Sequence, residues 1–240
     1  VPCSLLAGWE AGVRAGVVDA IFFPPPSALA ARAAELVAQG LLPRACAHSV
    51  WRTLCALVPG AGLGILAGTA MGASDGVRRL FEPSFAALYS MPKLALLPVF
   101  LLILGVGEPA RLALVALGVF LLMTMQVFDA ARSLDAGHLE MARLYGASPW
   151  QLWRRVYGPA CLPQIFTGLR LSFGRAFVMS ISVELVTGAP GLGSLIWMAW
   201  QSFSPDRLYV AVLTAAALGY AAQTFLRRLE RRAVPWKDRA

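Results

Sequence analysis

The sequence predicts an all-α membrane protein with five to six spanning helices, and two observations carry that prediction. Of its 240 residues, 58% are hydrophobic and 14% charged, more apolar surface than a soluble chain of this size can bury. The charges also fall in short, mostly basic clusters between apolar runs, and several runs reach the roughly 20 residues that a helix needs to cross hydrocarbon. Helices then follow, because a lipid interior offers no water to satisfy exposed backbone groups.

Read in order as one transmembrane domain over 1–240, the chain opens with a weak first span, Leu5 to Phe23 within 1–23. Glu10, Arg14 and Asp19 interrupt it, it ends at FFPPPS, and it is expected to lack its start. A signal peptide fits poorly, since those charges fall where its apolar core belongs. Residues 24–48 are expected to hold a short outer interfacial helix. Ser27 is its expected cap, and Leu29, Ala33, Leu36 and Val37 recur at helical spacing, with Arg32 and Glu35 elsewhere on the cylinder. Spans two to four occupy 49–128 as Ser49–Met71, Phe85–Leu104 and Ala110–Phe128. A polar stretch fills 129–163, the last two spans, Ile165–Thr187 and Leu208–Leu226, lie within 164–226, and a basic tail closes the chain at 227–240.

Arg78 and Arg79, the arginines of 132–155, and the basic tail mark alternate span ends, so the positive-inside rule assigns all three to the cytoplasm. The loops around Gly107 and Gly191 are then outside and the amino terminus inside. The net charge of +8 is accounted for by this anchoring, without a nucleic-acid partner.

Gly60, Gly64, Gly68 and Gly72 recur every fourth residue and so form one groove, drifting only about 40° per step on a 3.6-residue helix. Such a stripe predicts close helix packing, with the partner left open. Met91, Pro92 and Pro98 interrupt the third span, and proline there permits a bend or a moving gate. Arg175 and Glu184 are the ionisable residues of Ile165–Thr187. Groups of this kind at membrane depth generally face a cavity or a partner. Nine residues apart, they point about half a turn away from each other and need separate partners. Arg175, Glu184, Met91 and Pro92 are therefore the candidate substrate path, with Arg175 attracting an anion and Glu184 bracing an outer gate near Gly191 and Gly193. Trp197 and Trp200 suit the outer interface.

The polar stretch EMARLYGASPWQLWRRVYGPACLP, Glu140 to Pro163, has the grammar of a helix, turn, helix. Asp135 is placed to cap a first helix that Gly146 ends. Ser148 and Gln151 form a capping box with Pro149 at the first helical position. Pro159 and Pro163 are expected to break the chain before the next span. The stretch is a compact projection, suited to docking.

Cys3, Cys46, Cys55 and Cys161 show no metal or disulfide spacing, so no metal site is expected, and His48 and His138 have no nucleophile motif to join. The phosphate-loop pattern GxxxxGK with Ser or Thr is missing from the sequence, so this chain is not expected to cradle ATP in that way. A membrane-embedded enzyme would need a nucleophile with its base, a carboxylate pair or a metal set within the spans. A self-sufficient secondary carrier or channel, the alternative reading, would be supported by inverted repeats, and none is evident by eye.

The polar stretch resembles the EAA loop of permease subunits of bacterial ATP-binding cassette importers. FFPPPSALA, SMPKLALLPVFLLILGVGE, TGLRLSFGRAF followed by VEL, and GLGSLI, in that order, resemble the branch serving nitrate, sulfonate, taurine and bicarbonate. The resemblance implies the type I importer permease fold with a cytoplasmic coupling helix. Glu140, Met141, Ala142, Gly146, Ala147 and Ser148 would then meet a cytoplasmic ATPase dimer that binds the ATP, with no cofactor on this chain. It further implies a second permease copy, an extracytoplasmic solute-binding protein, an inner-membrane location, and a small anionic solute moved by alternating access. Met141 replaces the usual alanine, and Gly158 stands where leucine is common.

Overall fold

The structure, a computed structural model, describes residues 2–133, 144–152 and 158–234. Ten α-helices are described: α1 Pro2–Arg14, α2 Pro26–Ala38, α3 Leu41–Ala73, α4 Asp75–Ser90, α5 Leu97–Leu104, α6 Glu108–Arg132, α7 Pro149–Leu152, α8 Gly158–Thr187, α9 Leu192–Gln201 and α10 Pro205–Ala233, with a 3₁₀ turn Lys93–Leu96 before α5. Three of them, α3, α6 and α10, are individually long and apolar enough to cross a membrane. Two bent pairs bring the number of spans to five if each pair counts once: α4 with the Lys93–Leu104 segment, bent by 97°, and α8 with α9, bent by 44°. The chain forms two compact units, one from residues 1–52 and 179–220, the other from 53–178 and 221–240.

Several local expectations change. The first apolar run is helical only to Arg14, about 20 Å at 1.5 Å per residue, short of the hydrocarbon thickness. Gly16, at φ +72°, lets the chain turn there, and Asp19 accepts from the Ile21 N–H at 2.8 Å. The second apolar run begins at Leu41, earlier than Ser49, because Gly40 at φ +71° ends α2 and Pro43 falls in the first turn of α3, where no helical hydrogen bond is lost. Ser27 is not the cap of α2: Pro25 holds that position without a side-chain bond. Instead the Glu10 carboxylate accepts from the Ser27 N–H at 3.0 Å and from its hydroxyl at 2.8 Å. Pro159 and Pro163 do not break the chain before α8 but lie within it, Pro159 as the second residue, where no intrahelical bond is lost, and Pro163 as the sixth, where one is.

In the first unit, α2 is fixed on two sides. Glu10 of α1 holds its start, and Arg32 reaches Asp206 of α10 at 3.0 Å. Trp9 meets Tyr209 edge to face with ring centroids 6.2 Å apart. In the second unit, the apolar core joins α3, α4 and α6 through Met71, Phe85, Leu121 and Phe128, and a smaller cluster joins Ala130, Ala131 and Cys161.

The glycine stripe of α3 lies against α6. A Cβ at Gly60 would stand 2.6 Å from the Ala116 carbonyl oxygen, one at Gly64 2.5 Å from Met123 Cβ, and one at Gly68 2.6 Å from the Thr124 carbonyl oxygen; Gly72 is packed against Ala131. Backbone meets backbone along just over three turns, the arrangement that small residues permit in lipid. Gly62, on another side of the helix, has nothing within 4 Å of such a Cβ.

Candidate functional site

Three places gather the candidate residues. The first is the polar projection. Glu140, Met141 and Ala142, with Asp135, Trp153, Arg154 and Arg155, lie outside the described residues. Leu144 and Tyr145 are 85% and 89% exposed, although both carry large apolar side chains that water disfavours. Gly146 takes φ +76°, a conformation that penalises any residue with a Cβ. After Ala147, the Ser148 N–H donates to Gln151 Oε1 at 2.8 Å, and the Gln151 N–H donates to Ser148 Oγ at 3.3 Å. That reciprocal pair is a capping box, and it starts the short α7 at Pro149.

The second place is built around Glu184, which is fully buried. Its Oε2 accepts from Ser49 Oγ at 2.7 Å and from the Gly193 N–H at 2.9 Å, while Oε1 pairs with the Arg52 guanidinium. Arg52, itself 3% exposed, also donates to the Pro190 carbonyl at 3.3 and 3.4 Å. Ser49 Oγ in turn accepts from the Leu192 N–H at 2.9 Å. The first N–H groups of α9, which no intrahelical carbonyl can satisfy, are thus taken up by Ser49 and Glu184. A Cβ at Gly191 or Gly193 would run into the Glu184 side chain, which accounts for glycine at both positions of GAPGLGS. Everything here is paired, so the arrangement clamps the loop 188–193 to α3 and α8 within the first unit.

The third place is the break in the α4–α5 span. Pro92 biases the residue before it away from helix, and Met91 is accordingly extended at φ −71°, ψ 142°. Met91 is 44% exposed, and Ser90 and Pro92 are exposed as well. Arg175 of α8 donates to the Tyr89 hydroxyl at 3.2 Å. Lys93 donates to the Tyr89 carbonyl at 2.6 Å and lies 4.8 Å from the centre of its ring.

Arg175 and Glu184 therefore do have separate partners, and the residues that supply them, Arg52 and Ser49 for one and Tyr89 for the other, were missed as candidates. A signal for Arg52 was present: it is a charge within an apolar run, near the same end of its span as Glu184. Lys93, inside SMPKLALLP, was equally visible as a cation at membrane depth.

Comparison with known proteins agrees with the fold. Residues 60–235 match the family described as binding-protein-dependent transport system inner membrane component. The putative aliphatic sulfonates transport permease SsuC of Bacillus subtilis is 31% identical over 238 residues, covering 99% of this chain and 86% of that protein. The taurine transport system permease TauC of Escherichia coli is 28% identical over 237 residues, covering 97% and 86%. Among solved structures, the MetNI methionine ABC transporter in an inward-facing conformation aligns with TM-score 0.68 at 21% identity, covering 81% of this chain and 96% of that one. The chain belongs to this family of inner-membrane transport components, so the expected helical permease fold, transport role and bacterial inner-membrane location hold. It is a transport subunit and not an enzyme.

Proposed function

We propose that this chain, as a permease of that family, imports a small anion such as a sulfonate, taurine, nitrate or bicarbonate. The solute is delivered by an extracytoplasmic binding protein. ATP is bound and hydrolysed by a separate cytoplasmic ATPase dimer, and a second copy of the chain completes the pathway. Relatives named for aliphatic sulfonates and taurine support the choice of an anion.

The observation that carries the reading is the construction of the projection after residue 143. A lever between two polypeptides must be stiff and must offer something to grip. The left-handed Gly146 and the Ser148–Gln151 box supply stiffness, and exposed Leu144 and Tyr145 supply apolar grip. Glu140, Met141, Ala142, Gly146, Ala147 and Ser148 form the contact with the ATPase. Closure of the ATPase pair then pushes this element and turns the spans between outward-open and inward-open states. Arg175, Met91 and Pro92 line the route, Glu184 braces the outer loop, and the Gly60–Gly72 stripe keeps α3 and α6 moving as one body.

The test is a photo-crosslinking residue at position 145 of the complete transporter. A crosslink to the ATPase, lost when an excess of peptide 138–152 is added, is expected. Co-purified ATPase that never crosslinks from this position would overturn the docking assignment.

A further inference from the structure

Pro92 makes the break at Ser90–Pro92 locally, but among the described residues nothing covers it. In a lipid interior, non-helical backbone survives only where protein or a water-filled space covers it, yet these residues are exposed. Two cations flank the break. Arg175 lies about 18 Å before the end of its helix at Thr187, at 1.5 Å per residue, so it is deep in the span and cannot belong to a headgroup layer. Its partner Tyr89 is neutral, and Lys93 is held only by the carbonyl and ring of that same tyrosine.

Among the described residues no carboxylate pairs with Arg175 or Lys93. Of the described acidic groups of this unit, Asp75, Glu82, Glu108 and Glu230 are engaged with Arg78, Arg111 and Arg170 instead, and Asp129 is exposed in the last turn of α6. Two uncompensated charges at this depth are costly, and an anion that visits them offsets the cost.

We infer that Tyr89, Lys93 and Arg175 form a station for the oxyanion head of the solute. The Tyr89 oxygen accepts from Arg175, which leaves its own O–H as a donor. Arg175 keeps further N–H groups, and Lys93 keeps two beyond the one it gives to the Tyr89 carbonyl. These donors are gathered around one residue, Arg175 at the Tyr89 hydroxyl and Lys93 at its carbonyl and ring, and none of the three side chains carries a negative charge. Such a set suits a group that is acceptor on every face, as a sulfonate or nitrate is, and rejects cations. The inference rests on the transport reading above and assigns the head of its anion to residues on both sides of the break.

The experiment uses the complete transporter, with its ATPase and binding protein, in cells deprived of their own anion importers. Uptake of labelled taurine, methanesulfonate and nitrate is measured, with unlabelled dimethyl sulfone as a competitor that has the shape of a sulfonate without its charge. Wild type is expected to take up at least one of the three anions, unaffected by the sulfone. Lys93→Gln and Arg175→Gln should each lower that uptake by about tenfold or more, the scale of one charge-assisted contact, Lys93→Arg should keep most of it, and Tyr89→Phe should fall between. Recovery of the ATPase with each variant reports assembly. Uptake at the wild-type level in Lys93→Gln would overturn the inference while leaving ATP-driven import intact. Wild type that imports none of the three, although its ATPase co-purifies and turns over ATP, would overturn it too. A wild-type chain that recruits no ATPase would sink the transport reading and this inference together.

Discussion

Glu184 and Arg175 stand on one helix, and their surroundings are opposite. Glu184 is sealed from solvent and has a partner on every side: a guanidinium, a hydroxyl and a backbone N–H. Arg175 is exposed and has one neutral partner, the hydroxyl of Tyr89. Both are ionisable groups at membrane depth, and depth alone would mark both as functional. Their hydrogen bonding separates them. A charge whose partners are complete is holding the structure together, whereas a charge left short of partners is placed for something that comes and goes.

The sharpest way to break this comparison is to remove Glu184. Glu184→Ala strands Arg52 in the interior and frees the Gly193 N–H at the start of α9, and losing one member of a buried pair costs about 3–5 kcal/mol. The thermal midpoint of the purified protein and the amount inserted in the membrane should both fall. Replacing Arg52 and Glu184 together by methionine should recover much of the loss, and a single Glu184→Ala protein as stable as wild type would dissolve the distinction.

A smaller effect is expected where a contact is completed by packing instead of by charge. Gly64→Leu drives a side chain into Met123 and the α6 backbone, and overpacking of this kind costs about 1–3 kcal/mol. Gly62→Ala, on the open side of the same helix, should be neutral or slightly stabilising, by up to about 1 kcal/mol. Equal thermal midpoints for the two variants would contradict the close approach of α3 and α6.

The smallest change in stability belongs to Arg175→Gln. It removes one hydrogen bond at an exposed position, a loss of about 1 kcal/mol or less. A thermal midpoint near wild type beside impaired transport would sharpen the contrast with Glu184. A midpoint as low as that of Glu184→Ala would show Arg175 to be structural.

Much of the coupling element was legible because it is local. Ser148 and Gln151 are three residues apart, and Gly146 takes a left-handed conformation that its lack of a side chain permits, so no distant residue has to be known. The glycine stripe was legible for the same reason, as a periodicity, while its partner α6 was not. The reading failed where a bond spans distance. Ser27 looked like a cap because its type and position suit one, but a carboxylate 17 residues earlier occupies that role. Pro163 looked like a breaker because proline usually is, but α8 continues through it.

By itself the sequence determined that the chain is a bundle of membrane helices, that one apolar run is interrupted at Met91 and Pro92, and that a capping box at Ser148 and Gln151 follows the fourth apolar run. These depend on hydropathy over some 20 residues and on the backbone preferences of glycine and proline, which act over a few bonds. Only the tertiary structure decided that Arg52, 132 residues away, neutralises Glu184, and that Lys93 and Arg175 meet at one tyrosine. Such pairings depend on the depth and rotation at which each helix packs against its neighbours, and no short stretch of sequence fixes either.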